Sequence, residues 1–456
     1  MSSHQTNDTI AAIATPPGEG AIAIVRMSGP GAREILTACF APRTPFPKEG
    51  PKSHRLYLGA ILDGQNQPVD QVMAVYMRGP KSYTAEDVCE IHCHGGRIAP
   101  VQALNRVLEL GARPAQAGEF TRRAFENGRI SLNQAEAVMQ MISAGSRAAA
   151  RAAAREMEGG ASRFVSRAQT RIQEMLSEVA AATDFPEEVE ESEAAQNLLG
   201  RVEQLMEEMR RRADPKTARL ISDGAAVALA GRPNVGKSSL MNAILDSERA
   251  IVADQAGTTR DVLTERLMLD GLEIRLSDTA GQRDTQNEIE RMGVERARRT
   301  QHQADVVVLV LDGAQKLTED DRALLRDVDE RYIIAVNKSD LRAVWSPDEL
   351  GLKGTPVICI SARTGLGMEE LTGAIRKQVQ AGDRSEEYLT VQRHVALCRQ
   401  ALEALEGCAQ VMRQGLPLDL CAAGLWEAAE KLGEITGDSV TGQVIDQVFQ
   451  RFCVGK

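Results

Sequence analysis

Short apolar runs punctuated by Gly and Pro dominate the first quarter of the 456-residue chain. Residues 21–27, 55–62, 71–77 and 88–93 predict strands, with a Pro-rich loop over 41–51 between the first two. Residues 101–110 predict a helix ended by Gly111, and together these elements predict a compact α+β unit. From about Phe125 the period changes. Val165, Ala168, Ile172, Met175, Leu176 and Val179 lie at helical spacing, as do Leu198, Leu199, Val202, Leu205, Met206 and Met209. The acidic stretch 184–193 between them reads as a solvated loop or helix start, and Asp214 with Pro215 breaks the second helix. Residues 218–380 alternate strands and helices, which predicts a parallel sheet covered on both faces. After about Glu387, helical spacing returns with Leu397, Ala401, Leu405, Cys408 and Met412. The helices on either side of the α/β segment carry apolar stripes with nothing local to bury them, and packing the two sets together solves both problems. The expected fold class is multidomain α+β and α/β. It comprises an N-terminal α+β domain over 1–124, a discontinuous helical domain over 125–217 and 381–456, and an α/β domain over 218–380 inserted within it.

Composition narrows the function. An apolar content of 43% with 26% charged residues is that of an ordinary globular protein, and aromatics at 3% leave the cores to Leu, Val, Ile, Ala and Met. The formal charge of −10 argues against a broadly basic nucleic-acid coat. It leaves room for local patches: Arg147, Arg151 and Arg155, then Arg163, Arg167 and Arg171, recur every fourth residue along a helical face. Such a stripe is either a solvated face, the commoner case, or a contact to RNA phosphates. Eight cysteines without a Cys-x-x-Cys pair suggest neither a disulfide framework nor a zinc cluster. Cys93 lies between His92 and His94, but neighbours on a strand point to opposite faces, so packing is expected there. No apolar run is long enough for a membrane span, and residues 1–9 show neither a signal-peptide core nor a transit-peptide pattern. A cytoplasmic protein is expected.

The chemistry concentrates in the third quarter. A small apolar run over 225–230 feeds Gly231-Arg-Pro-Asn-Val-Gly236-Lys237-Ser238 and then a helical stretch over 239–245, the phosphate loop in its strand–loop–helix setting. Its glycines let backbone amides surround phosphates, Lys237 supplies charge to the β and γ phosphates, and Ser238 offers its hydroxyl to magnesium. In Gly257-Thr258-Thr259-Arg260-Asp261 a threonine should reach the same metal, and Asp278-Thr279-Ala280-Gly281 ends a strand over 272–277. Asn337-Lys338-Ser339-Asp340 ends a strand over 332–336, and the Asp340 carboxylate can accept both the ring N–H and the exocyclic amine of guanine. Ser361-Ala362-Arg363 ends a strand over 356–360 and would place an amide at the guanine carbonyl. The expected GTP contacts are Asn234, Val235, Gly236, Lys237, Ser238 and Ser239. Further contacts are Ala253, Asp254, Gln255, Ala256, Gly257, Thr258 and Thr259, then Asp278, Thr279, Ala280 and Gly281. Asn337, Lys338, Asp340, Ser361, Ala362 and Arg363 complete the set. Each motif at a strand's C-terminal end fits the crevice rule for open α/β sheets.

The order and wording of these motifs resemble the MnmE (TrmE) family of tRNA modification GTPases. The resemblance covers essentially the whole chain, from Asp8-Thr9-Ile10, Ala14-Thr15-Pro16-Pro17-Gly18 and Arg26-Met27-Ser28-Gly29 onward. It continues through Glu90-Ile91, His94-Gly95-Gly96, Gly118-Glu119-Phe120-Thr121 and Arg123-Ala124-Phe125 to Phe452-Cys453-Val454-Gly455-Lys456. It implies a cytoplasmic homodimer whose N-terminal domains pair and bind 5-formyltetrahydrofolate or a related folate. It also implies an FAD-dependent partner, MnmG, with which the family installs an aminomethyl or carboxymethylaminomethyl group at carbon 5 of the wobble uridine of certain tRNAs. The family's folate contacts carry over to Arg26, Glu90, Lys456 and Arg129; the last departs from the Lys of many members, keeping the charge but not the shape. Magnesium would be held by Ser238 and Thr259. Potassium would be held by Asn234, the carbonyls of Ala253 and Gln255, and Thr258. Glu290 matches the glutamate that orients the attacking water, while Gln282 stands where this family usually has an apolar residue and Ras-like enzymes have their water-positioning Gln. Cys453, beyond the last helical stretch, is the expected functional thiol; Gly455 and Lys456 fit a prenylation box poorly. Two other functions remain open at this point, a ribosome-assembly GTPase switch and a folate-dependent one-carbon transferase with a structural G domain.

Overall fold

A computed structural model describes residues 8–185, 187, 191–247, 264–269, 272–278, 300–352, 354–379 and 388–456. The chain divides into two compact units. The first comprises Met1–Met139, Glu156–Gly200 and Glu403–Lys456; the second comprises Gln140–Arg155 and Arg201–Leu402.

In the first unit, β1 (Ile10–Ile13), β2 (Ile22–Ser28), β3 (Phe40–Pro42), β4 (Arg55–Leu62), β5 (Pro68–Met77), β6 (Val88–His94) and β7 (Arg113–Pro114) form one sheet. Their order is β3-β4-β5-β6-β2-β1-β7, antiparallel except for the β1–β7 pair. Period-2 alternation aims Tyr57, Ile61, Val72, Ala74, Tyr76, Cys89 and Ile91 into one core with the helices Ala32–Cys39 and Ala99–Glu109. The second helix starts two residues before the sequence reading, with Pro100 in its first turn, where a missing N–H costs nothing. Helix Ala32–Cys39 and strands β1, β3 and β7 were not legible from pattern. Strand β3 occupies the start of the expected Pro-rich loop, and its Pro42 is tolerated because β3 is a sheet edge. Cys93 faces the core, where burial pushes its thiol up to about 12. His92 and His94 instead meet Glu90 and Asp70.

Further along the first unit, helix Gly160–Asp184 buries Phe164, Val165, Ala168, Ile172, Met175 and Val179. It packs on helix Leu420–Thr436, and the Gln169 amide donates to the carbonyl of Ala429 at 3.0 Å. Arg163 and Arg167 of its face are exposed; Arg147 and Arg151 of helix Arg147–Met157, which belong to the second unit, are exposed as well. Helix Gly442–Phe449 then delivers Phe449 and Phe452 against Leu132, Ala135 and Phe125, with ring centroids 5.4 and 6.1 Å apart along the row.

The second unit holds β8 (Ala225–Ala230), β9 (Thr264–Leu269), β10 (Leu272–Asp278), β11 (Val306–Asp312), β12 (Tyr332–Asn337) and β13 (Val357–Cys359). The order is β13-β12-β11-β8-β10-β9, parallel except that β9 runs antiparallel to β10. Only two residues separate β9 from β10, too few for a crossover, so a wholly parallel sheet is impossible there. Both faces are packed: Val227, Leu229, Ile274 and Leu276 on one side, Ala228, Ala230, Val307 and Leu309 on the other. Asp214 and Pro215 were read as a helix break. The break is real after Arg212, yet a new helix, Pro215–Asp223, starts at once, because Asp214 accepts from the backbone N–H groups of Lys216 and Thr217 and caps it.

The first unit also buries charge. Arg123, 3% exposed, meets Asp8 at 2.7 Å, Glu86 at 3.1 Å and Glu119 at 3.2 Å, while Arg113 pairs with both Asp8 and Glu119. Burial alone would raise the Asp8 and Glu119 carboxyls, but hydrogen bonds from the two arginines hold both below their ordinary values of 3.8 and 4.5. Depressed carboxyls stabilise the fold fully above those ordinary values, and the contribution fades as pH falls through the lower folded ones. Thermal unfolding followed from pH 6 to pH 3 should therefore show a loss of stability in the parent chain. Arg123→Met should cost about 1–3 kcal/mol near neutral pH by taking a charged donor from Glu86 and leaving Asp8 and Glu119 to Arg113 alone, and should weaken that acid dependence.

Candidate functional site

Strand β8 runs straight into the loop 231–236, and two glycines shape it. Gly231 has φ +135°, and a Cβ there would lie 2.5 Å from the carbonyl oxygen of Val310. Gly236 has φ +102°, and its Cβ would lie 2.3 Å from Nδ2 of Asn337. Asn234, also left-handed at φ +65°, is exposed at the tip, whereas Val235 is buried beneath it. Helix Lys237–Ser247 begins directly after the loop, so its first N–H groups and the positive end of its dipole face the same space. Lys237, 4% exposed, folds back and donates from Nζ to the carbonyls of Gly231 at 2.8 Å and Arg232 at 2.7 Å. Ser238 and Ser239 are exposed at the helix start. Arg232 is held in turn by Asp321 at 2.8 Å, within the first turn of helix Glu319–Arg326.

A second loop group meets this one. Asn337, the last residue of β12, donates from Nδ2 to the Val235 carbonyl at 2.9 Å and accepts at Oδ1 from the Ala362 N–H at 3.1 Å. Lys338, at φ +65°, places Nζ 2.6 Å from Asp312 Oδ2 and 3.4 Å from the Asn234 carbonyl. Asp340 accepts from the Ser361 hydroxyl at 2.8 Å, with Arg363 at 3.6 Å. The Ser361 hydrogen bond first, and the Arg363 charge with it, hold the Asp340 carboxyl below its ordinary value. An ionised carboxylate at that position is an acceptor for two parallel N–H donors. Thus Asn234, Val235, Gly236, Lys237, Ser238 and Ser239 come together with Asn337, Lys338, Asp340, Ser361, Ala362 and Arg363, at the C-terminal ends of β8, β12 and β13. Asp278 closes β10 in the same sheet, but its side chain lies outside the described residues. So do Ala253, Asp254, Gln255, Ala256, Gly257, Thr258, Thr259, Thr279, Ala280, Gly281, Gln282 and Glu290.

The first unit gathers the other expected residues. Arg26 and Glu90 are register partners on β2 and β6, 64 positions apart, and their side chains pair at 2.9 Å. The guanidinium of Arg26 lies 5.6 Å from the Tyr83 ring centroid and 5.8 Å from that of Phe120. The chain's last residues reach this face: Val454 bridges Ala117, the Gly118 N–H donates to the Cys453 carbonyl, and the Phe120 N–H donates to the Lys456 carbonyl at 3.2 Å. Arg26 donates to the Gly455 carbonyl at 3.5 Å. Gly455 has φ +94°, and a Cβ there would lie 2.4 Å from the Ile13 carbonyl oxygen, so only glycine lets the tail lie so close to β1. Arg129 is tied through Nε to the Ser82 carbonyl, next to Tyr83, at 3.1 Å. Cys453 is exposed on the tail, and Lys456 is half-buried. The Phe120 ring is fully buried beneath Arg26, which leaves a cation, an anion and the partly exposed Tyr83 ring on one face, groups that suit a ligand with a polar ring and an acidic tail.

Residues 9–129 match the family model described as the GTP-binding protein TrmE N-terminus, and residues 132–453 match that of the MnmE helical domain. A tRNA modification GTPase MnmE of Heliobacterium modesticaldum is 42% identical over 98% of this chain and 99% of its own length. That of Moorella thermoacetica is also 42% identical, over 99% of this chain and 100% of its own. The chain belongs to the MnmE family of tRNA modification GTPases. Among solved structures, the G domain of the T. maritima FeoB iron transporter is 31% identical, covering 34% of this chain and 99% of that one at a TM-score of 0.27.

Within this MnmE-family site, three residues escaped the sequence reading. Asp312 pairs with Lys338, and its signal was legible: the apolar run of β11 ends in a carboxylate at the edge where the other motifs lie. Asp321 was also legible, as the fourth residue of a Thr-x-x-Asp capping box. Trp345 donates from Nε1 to the Asp312 carbonyl at 3.1 Å, and nothing local in the sequence announces that contact.

Proposed function

We propose that this chain hydrolyses GTP in its second unit and, with the FAD-dependent protein MnmG, adds an aminomethyl or carboxymethylaminomethyl group at carbon 5 of the wobble uridine of certain tRNAs. The one-carbon unit would come from a formyltetrahydrofolate held by the first unit. The observation that carries the nucleotide half is the Asn337 amide, which joins the phosphate loop at Val235 to the base-reading loop at Ala362. Lys237 would exchange its two loop carbonyls for β and γ phosphate oxygens, and Asp340 would accept from guanine. The hydroxyl of Ser238 stands exposed at the helix start, as a magnesium ligand must, with Thr259 as its companion. Asn234, exposed at the loop tip, suits potassium, with Thr258 and the carbonyls of Ala253 and Gln255. Such cations neutralise charge developing near the β–γ bridge. Glu290 would orient the attacking water.

In the first unit, Arg26, Glu90, Arg129 and Lys456 would hold the folate, with the Tyr83 ring beside Arg26 flanking it. Cys453, exposed beside that face, is the thiol available to the modification chemistry. Leu56 and Leu58 of β4 and Met73 of β5 are 52%, 42% and 41% exposed on the sheet face turned away from its helices. An apolar sheet face of this kind supports pairing with a second copy, as the homodimer requires.

Four measurements test these readings. Asp340→Asn should weaken GTP and favour xanthosine triphosphate, because an amide presents a donor where the guanine ring N–H needs an acceptor; an unchanged preference would refute the assignment. Hydrolysis should run much faster in potassium than in sodium at equal ionic strength, and Glu290→Ala should cut turnover while GTP binding persists. Equal rates in the two salts would remove the potassium role. Cys453→Ser should abolish wobble-uridine modification in cells, read by nucleoside analysis of tRNA, with GTP turnover of the purified variant near the parent's. Normal modification with Ser at 453 would remove the thiol from the chemistry.

A further inference from the structure

We propose that Asp312 is a positioning residue of the nucleotide site, aiming the Lys338 ammonium at the phosphate loop and so setting nucleotide affinity without touching the nucleotide. The inference rests on the guanine-nucleotide reading of the second unit. Asp312 is the last residue of β11 and the register partner of Asn337 in the parallel pair β11–β12. Its side chain is 3% exposed, and every acceptor it carries is engaged. Oδ2 lies 2.6 Å from Lys338 Nζ, Oδ1 accepts from the Ala314 N–H at 2.9 Å, and the carbonyl accepts from Trp345 Nε1 at 3.1 Å. The carboxylate therefore cannot swing.

Lys338 is the opposite case, a long flexible side chain on a left-handed backbone. Its second contact, the carbonyl of Asn234 at 3.4 Å, lies on the tip of the phosphate loop. A carbonyl alone would hold an ammonium weakly against water, whereas a fixed, buried carboxylate 2.6 Å away confines it. The relay runs Trp345, Asp312, Lys338, Asn234. It ties the base-reading loop to the phosphate loop at a point separate from the Asn337 amide. Asp312 could instead serve only to shape the turn at Gly313 and Ala314. The two roles differ in one respect: a turn-shaping residue acts whatever stands at 338, and a positioning residue acts only through the lysine.

A double-mutant cycle on the full chain separates them, with fluorescent guanosine diphosphate as the probe. Asp312→Asn keeps the shape and the acceptor for Ala314 but removes the charge. It should weaken binding by about tenfold or more, the scale of a hydrogen bond between charged groups. In a Lys338→Met background the same change should bring no further loss. Equal losses in both backgrounds, or parental affinity in the single variant, would overturn the inference and leave the nucleotide reading standing. A parent chain that binds no guanine nucleotide would overturn both. If Asp312→Asn does not accumulate as folded protein, Asp312→Glu, which keeps the charge and displaces it by one methylene, replaces it in the same cycle with the same outcomes.

Discussion

The side-chain amide of Asn337 satisfies two backbone groups at once, donating to Val235 and accepting from Ala362, and the whole nucleotide half of the molecule hangs on that geometry. Loops that follow β8 and β13 are not neighbours in the sheet; β11 and β12 stand between them. A buried amide bridging both makes them one rigid object, so that a ligand meets a single preformed surface. Room for the amide comes from Gly236, where any side chain would collide with Nδ2. A carboxylate at 337 would lose the donor, and an aliphatic residue would orphan both backbone groups at about 1–3 kcal/mol each. Glycine at 236 and asparagine at 337 are thus one requirement written at two places in the sequence.

The first unit solves a different problem, that of building one face from remote pieces. Arg26 and Glu90 come from the middle of the sheet, Tyr83 from the loop before β6, Phe120 from helix Glu119–Glu126, and the tail from the far end of the chain. The Arg123 charge, costly to bury singly, is buried here within a network in which it meets Asp8, Glu86 and Glu119 and shares the first and last with Arg113. The network fixes Asp8, at the entry to β1, against helix Glu119–Glu126, and so sets the frame on which the Arg26 face is built.

What the sequence disclosed follows from the range of the interactions involved. The phosphate loop was legible because its constraints are local: left-handed backbone, close approach, a lysine and a hydroxyl at fixed offsets. Long helices such as Gly160–Asp184 were legible because Val165, Ala168, Ile172, Met175 and Val179 are buried at one period. Helix Ala32–Cys39 was not; it spans two turns, and its N-cap Gly31 offers no side-chain hydrogen bond to mark the start. Strands β1 and β7, four and two residues long, carry too few positions for a period to register. Asp214-Pro215 misled because the same dipeptide that stops one helix caps the next. The packing of Gly455 on Ile13 and the Trp345–Asp312 bond depend on tertiary placement, which no local pattern encodes.

The tail over 453–456 has a bearing on how the molecule is made. Backbone bonds from Gly118 and Phe120, and the Arg26 bond to Gly455, all wait for residues that are made long after their partners. The sheet that receives them is synthesised first, and domains tend to fold as they emerge. The N-terminal sheet must therefore hold an open groove beside β1 until residues 453–456 have been made and can fill it.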